Sequence, residues 1–275
     1  MTIKLLLYFI YIIKSVILPN LVVNLYFSIK MKEIVYHTNF QLEDSYWWFL
    51  ARREIINKTI KKTIDINPDE YILDVGCGTC GIAEFLSKNF NVVAIDTSEL
   101  ALEYCKKRGV ERVFQTTLEN FPKNQYKIKA ITILDVIEHI ENDTEIVEQL
   151  YETLPIGGYV IATVPAYQFL WSFHDEVHKH YRRYTLTNFK NLINSAGFKI
   201  IFASYFNTFL FPFAIFKRFI DIVFKIEKKN EYAIEILPKP INSLFTKIFE
   251  FEKYFFPKIS FPFGLSILLI AKKTE

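Results

Sequence analysis

A glycine turn, three aspartates and a crowd of histidines are the residues of this chain whose types and spacing could do chemistry. Tyr71–Gly81 reads YILDVGCGTCG, an apolar strand-like run that ends in Asp74 and opens through Gly76, Gly78 and Gly81 into the helix-like segment Ile82–Lys88. Glycines so spaced let the backbone turn tightly and approach a ligand where side chains would clash. Alone, G-x-G-x-x-G is a weak sign of a nucleotide-type ligand. Asp96 follows Gly76 at the offset of about 20 residues at which an acid reaches the hydroxyls of a ribose. A carboxylate accepts both ribose hydroxyls, which suits a nucleoside better than a bare phosphate. The plainer roles stay open: Asp74 could mainly hold the turn together, and Asp96 could cap the helix after it. Asp135 ends a third apolar run, with His139 just beyond it, and His174, His178 and His180 lie close together downstream. Histidine suits a base role near neutral pH, and His174 and His180 are the candidates. Polar loop residues also commonly do no more than hydrogen-bond their own loop.

The elements that must position these groups follow from the periodicity. Strand-like runs at 71–75, 91–95, 111–115, 129–135 and 157–164 alternate with helix-like runs at 82–89, 98–108 and 142–153, the pattern of a doubly wound α/β domain. A helix near 186–196, a strand near 198–204, a long apolar insertion and a last strand at 264–272 complete it. In such folds ligands sit at the carboxyl ends of the strands, where Asp74, Asp96 and Asp135 all fall.

Charge is unevenly placed. Residues 31–216 hold 19 Lys/Arg against 23 Asp/Glu, whereas 1–30 carry three lysines and no acid, and 217–275 carry 11 basic against 7 acidic residues. The positive surplus thus sits in the most apolar parts. That argues against nucleic acid as a partner and for an anionic membrane surface. Leu5–Ile29 is long enough to span a bilayer, yet Lys14, Pro19, Asn20 and Asn24 interrupt it. Three readings of 1–30 stay open: a spanning or in-plane anchor, a helix packed on the protein, or an extension upstream of a start at Met31. Tyr205–Ile226 is also strongly apolar, with Pro212 and Lys217-Arg218 against a clean span; an interfacial helix, a lid or a core-packing insertion would suit it. Three cysteines, Cys77, Cys80 and Cys105, argue against a disulfide framework and fit a reducing compartment. The Cys77-x-x-Cys80 pair lies inside the glycine turn, with no second pair for zinc.

The segments LDVGCGTCG, VVAIDTS, ITILDVIEHIEND and LPIGGYVIATVP, in that order, resemble the motifs of class I S-adenosylmethionine-dependent methyltransferases. HTNFQLEDSYWWFLARREII, FLWSFHDEVHKHYRRYT and FPFGLSILLIAKK resemble a bacterial subgroup of poorly defined acceptor, similar to ubiquinone-type O-methyltransferases. The resemblance implies an α/β, Rossmann-like doubly wound seven-stranded sheet with the last strand antiparallel and an apolar helical insertion, 206–258, before it. The methyltransferase domain would cover 31–275. It implies S-adenosyl-L-methionine as cofactor, held by Gly76 and Gly78, by Asp74, by Asp96 with Thr97 at the ribose, by Thr117 and Leu118 beside the adenine, and by Leu134 and Asp135 at the methionine end. The acid common in the adenine loop is absent here. Arg52 or Arg53 would pair with the cofactor carboxylate, with Arg52 preferred. Trp47 and Trp48 would line the cofactor or acceptor side, or pack their helix on the core. Arg182-Arg183 would receive an anionic acceptor or form internal ion pairs. Asp135-x-x-Glu138-His139 is similar to the Glu-x-x-Glu-His of some metal-dependent O-methyltransferases; metal-free relatives share Glu-His, and no metal is assigned.

The resulting expectation is a methyltransferase acting, most simply on oxygen, upon a small-molecule or lipid-linked acceptor. It would be cytoplasmic, attached to the inner face of the membrane through 1–30 and 205–226. Two alternatives stand beside it: a catalytically silent membrane-associated binding protein on the same fold, and a nicotinamide-dependent oxidoreductase, which shares the glycine turn and ribose acid.

Overall fold

The computed structural model describes residues 34–224 and 237–275. The expectations for 1–30, for Met31 and for the middle of the insertion lie outside the described residues. A helix over 34–42 precedes the helix Trp47–Thr63. Seven strands follow: β1 (Tyr71–Val75), β2 (Asn91–Asp96), β3 (Val113–Gln115), β4 (Ile128–Leu134), β5 (Tyr159–Pro165), β6 (Lys199–Phe206) and β7 (Ser266–Lys272). Their order across one sheet is β3-β2-β1-β4-β5-β7-β6. The first five are parallel, and β7 enters antiparallel between β5 and β6.

The central strands are near-continuous apolar runs because helices cover both faces. Side-chain alternation then divides the core in two. Leu73, Val75, Ile131 and Ile133 face one layer with Val147, Leu150, Phe189 and Ile193, supplied by helices Asp143–Thr153 and Leu186–Ser195. Ile72, Ala94, Ala130 and Leu268 face the other with Ile55, Ile56 and Leu86, from helices Trp47–Thr63 and Gly81–Ser87. The third strand is shorter than its apolar run suggests, because Glu111 and Arg112 are exposed ahead of it.

Between β6 and β7 the described chain forms helices Phe211–Val223 and Lys239–Glu250. The second packs on Trp47–Thr63: Trp47 meets Phe245 and Phe249 edge-on, and its backbone N–H donates to Asn242 Oδ1 at 2.9 Å. Trp47 is therefore a packing residue. The first helix leaves Phe213, Phe216 and Phe219 each more than 60% exposed, and Phe224 just beyond it likewise. Among the described residues no helix is long and apolar enough to cross a membrane.

Glu252 anchors this region. It is fully buried, and its carboxylate accepts from the backbone N–H groups of Asn207, Thr208 and Phe209. Burial outweighs those three donors and pushes its pKa from the ordinary 4.5 up to about 7. The folded chain thus keeps a proton that the unfolded chain releases. This contribution is present in full below pH 4.5 and is lost as pH rises through 7, amounting to about 3 kcal/mol. Glu252→Gln cannot titrate, so its stability relative to wild type is expected to improve between pH 5 and pH 8. Urea unfolding at the two pH values checks this; a constant difference would mean that Glu252 stays ionised throughout.

Candidate active site

The strand ends bring the expected acids to one edge of the sheet. Gly76 turns at φ +68°, and a side chain there would strike Val136 Cγ2 at 2.6 Å. Gly78, at φ +54°, has open space where a side chain would project, so a ligand can come close to the turn. Asp96, buried at the end of β2, faces that space: Oδ2 accepts from Gly78 N at 2.9 Å and Oδ1 from Ser98 N at 2.9 Å. Burial raises its pKa despite these donors.

The Tyr36 hydroxyl, from the 34–42 helix, also bonds Asp96 and Ser98; burial, then the Asp96 charge, pushes it up to about 12. Glu43, after the same helix, accepts from Thr79 Oγ1 at 2.5 Å and pairs with Arg108 at 3.0 Å. Thus an N-terminal segment latches across the glycine turn. Neither Tyr36 nor Glu43 was legible as a site residue, because an isolated polar residue on or just after a helix carries no spacing signal. Thr97 is exposed beyond Asp96, and its carbonyl accepts from Gln115 Nε2. Thr117 Oγ1 accepts from Asn120 N and Nδ2, while Leu118 is buried in the core beneath.

Asp74 is fully buried and accepts from Thr132 Oγ1 at 2.6 Å; burial pushes it up to about 6. Leu134 is half-buried, and Asp135 adopts φ +57°, an uncommon setting for a non-glycine residue. The two arginines point in different directions. Arg52 points inward, donating to Asp135 Oδ2 and, at 3.0 Å, to Thr163 Oγ1, with Trp48 stacked 4.8 Å from its guanidinium. Arg53 points outward to Asp44 and Phe85. Glu43, Phe49, Arg52, Arg53, Gly81 and Ile82 line a small cavity here.

Beyond Asp135, the histidines converge. Rings of His139 and His180 meet edge-on at 4.5 Å, and those of His174 and His178 lie 4.1 Å apart. Burial and mutual repulsion lower His139 to about 4, His178 to about 3 and His174 below its ordinary value, so these three imidazoles are neutral near pH 7. The fully buried Asp175 organises the group. Its Oδ1 takes His180 Nδ1 at 2.9 Å and Arg183 Nε at 2.7 Å, and its Oδ2 takes Arg183 Nη2 and Ser172 N. These partners hold Asp175 far below the usual carboxylate range. Arg183 is thereby engaged internally, and Arg182 pairs with Asp143 at 2.7 Å. Glu138 is fully buried, and neither carboxylate oxygen has a partner among the described residues; burial, then Asp135, pushes it well up. Donor atoms of Glu138, His139 and His180 all lie within 4.8 Å of one another, close enough to share a divalent cation.

The cysteines require a correction. Helix Glu99–Lys107 lays Cys105 behind the glycine turn, 5.0 Å in Cα separation from Cys80, and the two form a disulfide. That distance is within the normal reach of such a bond. Cys77 stays free and buried.

A family profile described as a methyltransferase domain matches residues 48–202, more than half of the chain. This chain belongs to the methyltransferase family. The methyltransferase is similar to the ubiquinone biosynthesis O-methyltransferase of Rickettsia canadensis (strain McKiel), 38% identical over 117 residues, 40% of this chain and 49% of that one. It is also similar to phosphoethanolamine N-methyltransferase 3 of Arabidopsis thaliana, 34% identical over 109 residues, 36% of this chain and 22% of that one. The chain spans about half the length, or less, of these curated relatives.

Two solved structures share the fold. One is an S-adenosylmethionine-dependent methyltransferase of Thermotoga maritima, with a TM-score of 0.51 and 17% identity, covering 86% of this chain and 99% of that chain. The other is geranyl diphosphate methyltransferase, solved with its diphosphate and sinefungin, with a TM-score of 0.55 and 11% identity, covering 81% of this chain and 77% of that chain. The family is that of the methyltransferases, and the fold is shared with an S-adenosylmethionine-dependent one; the nicotinamide alternative finds no support. The open space at Gly78, the acid at the end of β2 and the inward cation Arg52 are chemically suited to that cofactor's ribose and carboxylate.

Proposed function

We propose that the protein methylates an oxygen of a small-molecule or lipid-linked acceptor. Gly76 and Gly78 admit the cofactor, Asp96 with Thr97 takes the ribose, and Thr117 and Leu118 border the adenine. Arg52 takes the carboxylate in exchange for its Asp135 partner, with Asp74 and Leu134 shaping the methionine end. When bound, S-adenosylmethionine supplies an electrophilic methyl group on a sulfonium.

The chain's own task is to align the acceptor, exclude water and remove a proton. The single observation that carries this reading is the Asp175–His180 pair at the mouth of the strand-four end. Asp175 fixes the ring with Nδ1 toward itself, leaving Nε2 to take the proton of an acceptor hydroxyl. His174, itself exposed on the short helix Phe173–Val177 and with its ring 6.2 Å from that of His180, is the weaker candidate. The exposed Phe213, Phe216, Phe219 and Phe224 support contact with a membrane surface or an apolar acceptor tail.

Incubation with methyl-labelled cofactor and a membrane-plus-cytosol extract is expected to label a small or lipid-linked hydroxyl compound. Label confined to protein or nucleic acid would overturn the acceptor class. Cofactor binding with no labelled product would favour the silent binding protein.

A further inference from the structure

Three sulfurs meet beneath the glycine turn. Cys80 and Cys105 are joined, Cys77 Sγ lies 3.8 Å from Cys105 Sγ, and all three sulfur atoms are within 4.8 Å of one another. They touch the groups that carry the donor site. Cys77 and Cys80 lie on either side of Gly78, and Cys105 Sγ contacts the Gly78 carbonyl at 3.5 Å. The Gly78 N–H is held by Asp96 at the end of β2, and Cys105 belongs to the helix that follows β2. The bond therefore ties together the two elements that present Gly78 and Asp96.

We propose that Cys77, Cys80 and Cys105 form a site of reversible thiol oxidation on this turn, in which Cys105 pairs alternately with Cys80 and with Cys77. The consequence for the cofactor rests on the donor-site reading given above. In the exchange the Cys77 thiolate attacks Cys105 Sγ; the Cys77–Cys105 bond forms and the Cys80–Cys105 bond breaks. Cys80 leaves as a thiolate and takes up the proton that Cys77 released, so no electrons enter or leave the trio. A dithiol opens either bond to give three thiols and is itself oxidised to a disulfide; a small-molecule disulfide reverses the step.

Cys77 is the entry point, 9% exposed where the other two are fully buried. Burial raises its thiol well above the usual range, so the thiolate forms when the turn opens and exchange is slow, taking minutes to hours. Disulfides in reducing compartments are usually transient or redox-sensing. The closed Cys80–Cys105 bond holds the turn in place, which lowers the ordering cost of binding.

The test uses the full chain in glutathione redox buffers, trapped by acid and alkylation before peptide mapping. Both Cys80–Cys105 and Cys77–Cys105 peptides are expected, both lost in excess dithiothreitol, and Cys77→Ser should retain Cys80–Cys105 alone. Affinity for S-adenosylhomocysteine, by calorimetry, is expected to fall about fivefold on reduction and recover on reoxidation. Three free thiols in every buffer, a single invariant pair, or bound zinc in place of any disulfide would overturn the proposal. Equal affinity in both states would overturn its control of binding. No affinity in either state would instead defeat the donor-site reading, with the peptide map still deciding the exchange.

Discussion

Asp96→Ala is expected to weaken binding of S-adenosylhomocysteine by at least about a hundredfold, because two charge-assisted hydrogen bonds to ribose hydroxyls are each worth roughly 1.5–3 kcal/mol. The variant loses more than a ligand contact. It also leaves Gly78 N and Ser98 N without their acceptor, so the turn itself loosens. Asp96→Asn separates these effects, since it keeps a carbonyl acceptor for one amide while giving up the charge, and should fall between wild type and Ala. Calorimetry measures the affinity, and thermal unfolding shows that the sheet survives. Unchanged affinity in Asp96→Ala would remove the ribose role and reduce Asp96 to a brace for the turn.

His180→Ala should lower turnover of the labelled acceptor by about 10²–10⁴, the usual range for losing a general base, with cofactor affinity little altered. Asp175→Asn should also cut turnover, since an amide cannot stabilise the imidazolium and can orient the ring wrongly. It also takes from Arg183 the charge and one of the two oxygens that receive its guanidinium, so its unfolding temperature must be measured beside its rate. The same assay after treatment with a chelator distinguishes the base from the cation reading of Glu138, His139 and His180. Activity that survives chelation leaves His180 as a base; activity lost, then restored by a divalent cation, makes it a ligand.

Much of the sheet could be read from the chain, because the central parallel strands β1, β2, β4 and β5 are buried on both faces and so appear as near-continuous apolar runs. Strand ends were legible because an acid closes each apolar run: Asp74, Asp96 and Asp135 fall at or beside the last residue of β1, β2 and β4. The Arg52/Arg53 choice needed the helix to be seated, since adjacent residues point about 100° apart around its axis. Cys105 was not legible as a partner for Cys80, because their proximity depends on how one helix lies behind a turn 25 residues away in sequence. Asp175 was missed for a different reason. In a run of His, Glu and Arg it reads as one more solvated charge, and only its burial among Ser172, His180 and Arg183 sets it apart.

The placing of β7 between β5 and β6 has a consequence for how the molecule is made. Among the described residues strand β6 finds no neighbouring strand except β7, and β5 keeps an open edge until β7 arrives. During synthesis β1 to β5 can assemble early, whereas β6 must wait about 60 residues for β7, with helices Phe211–Val223 and Lys239–Glu250 already emerging. The nascent protein thus passes through a stage with an unpaired apolar edge beside exposed phenylalanines, the kind of surface that chaperones recognise and that aggregates when left uncovered.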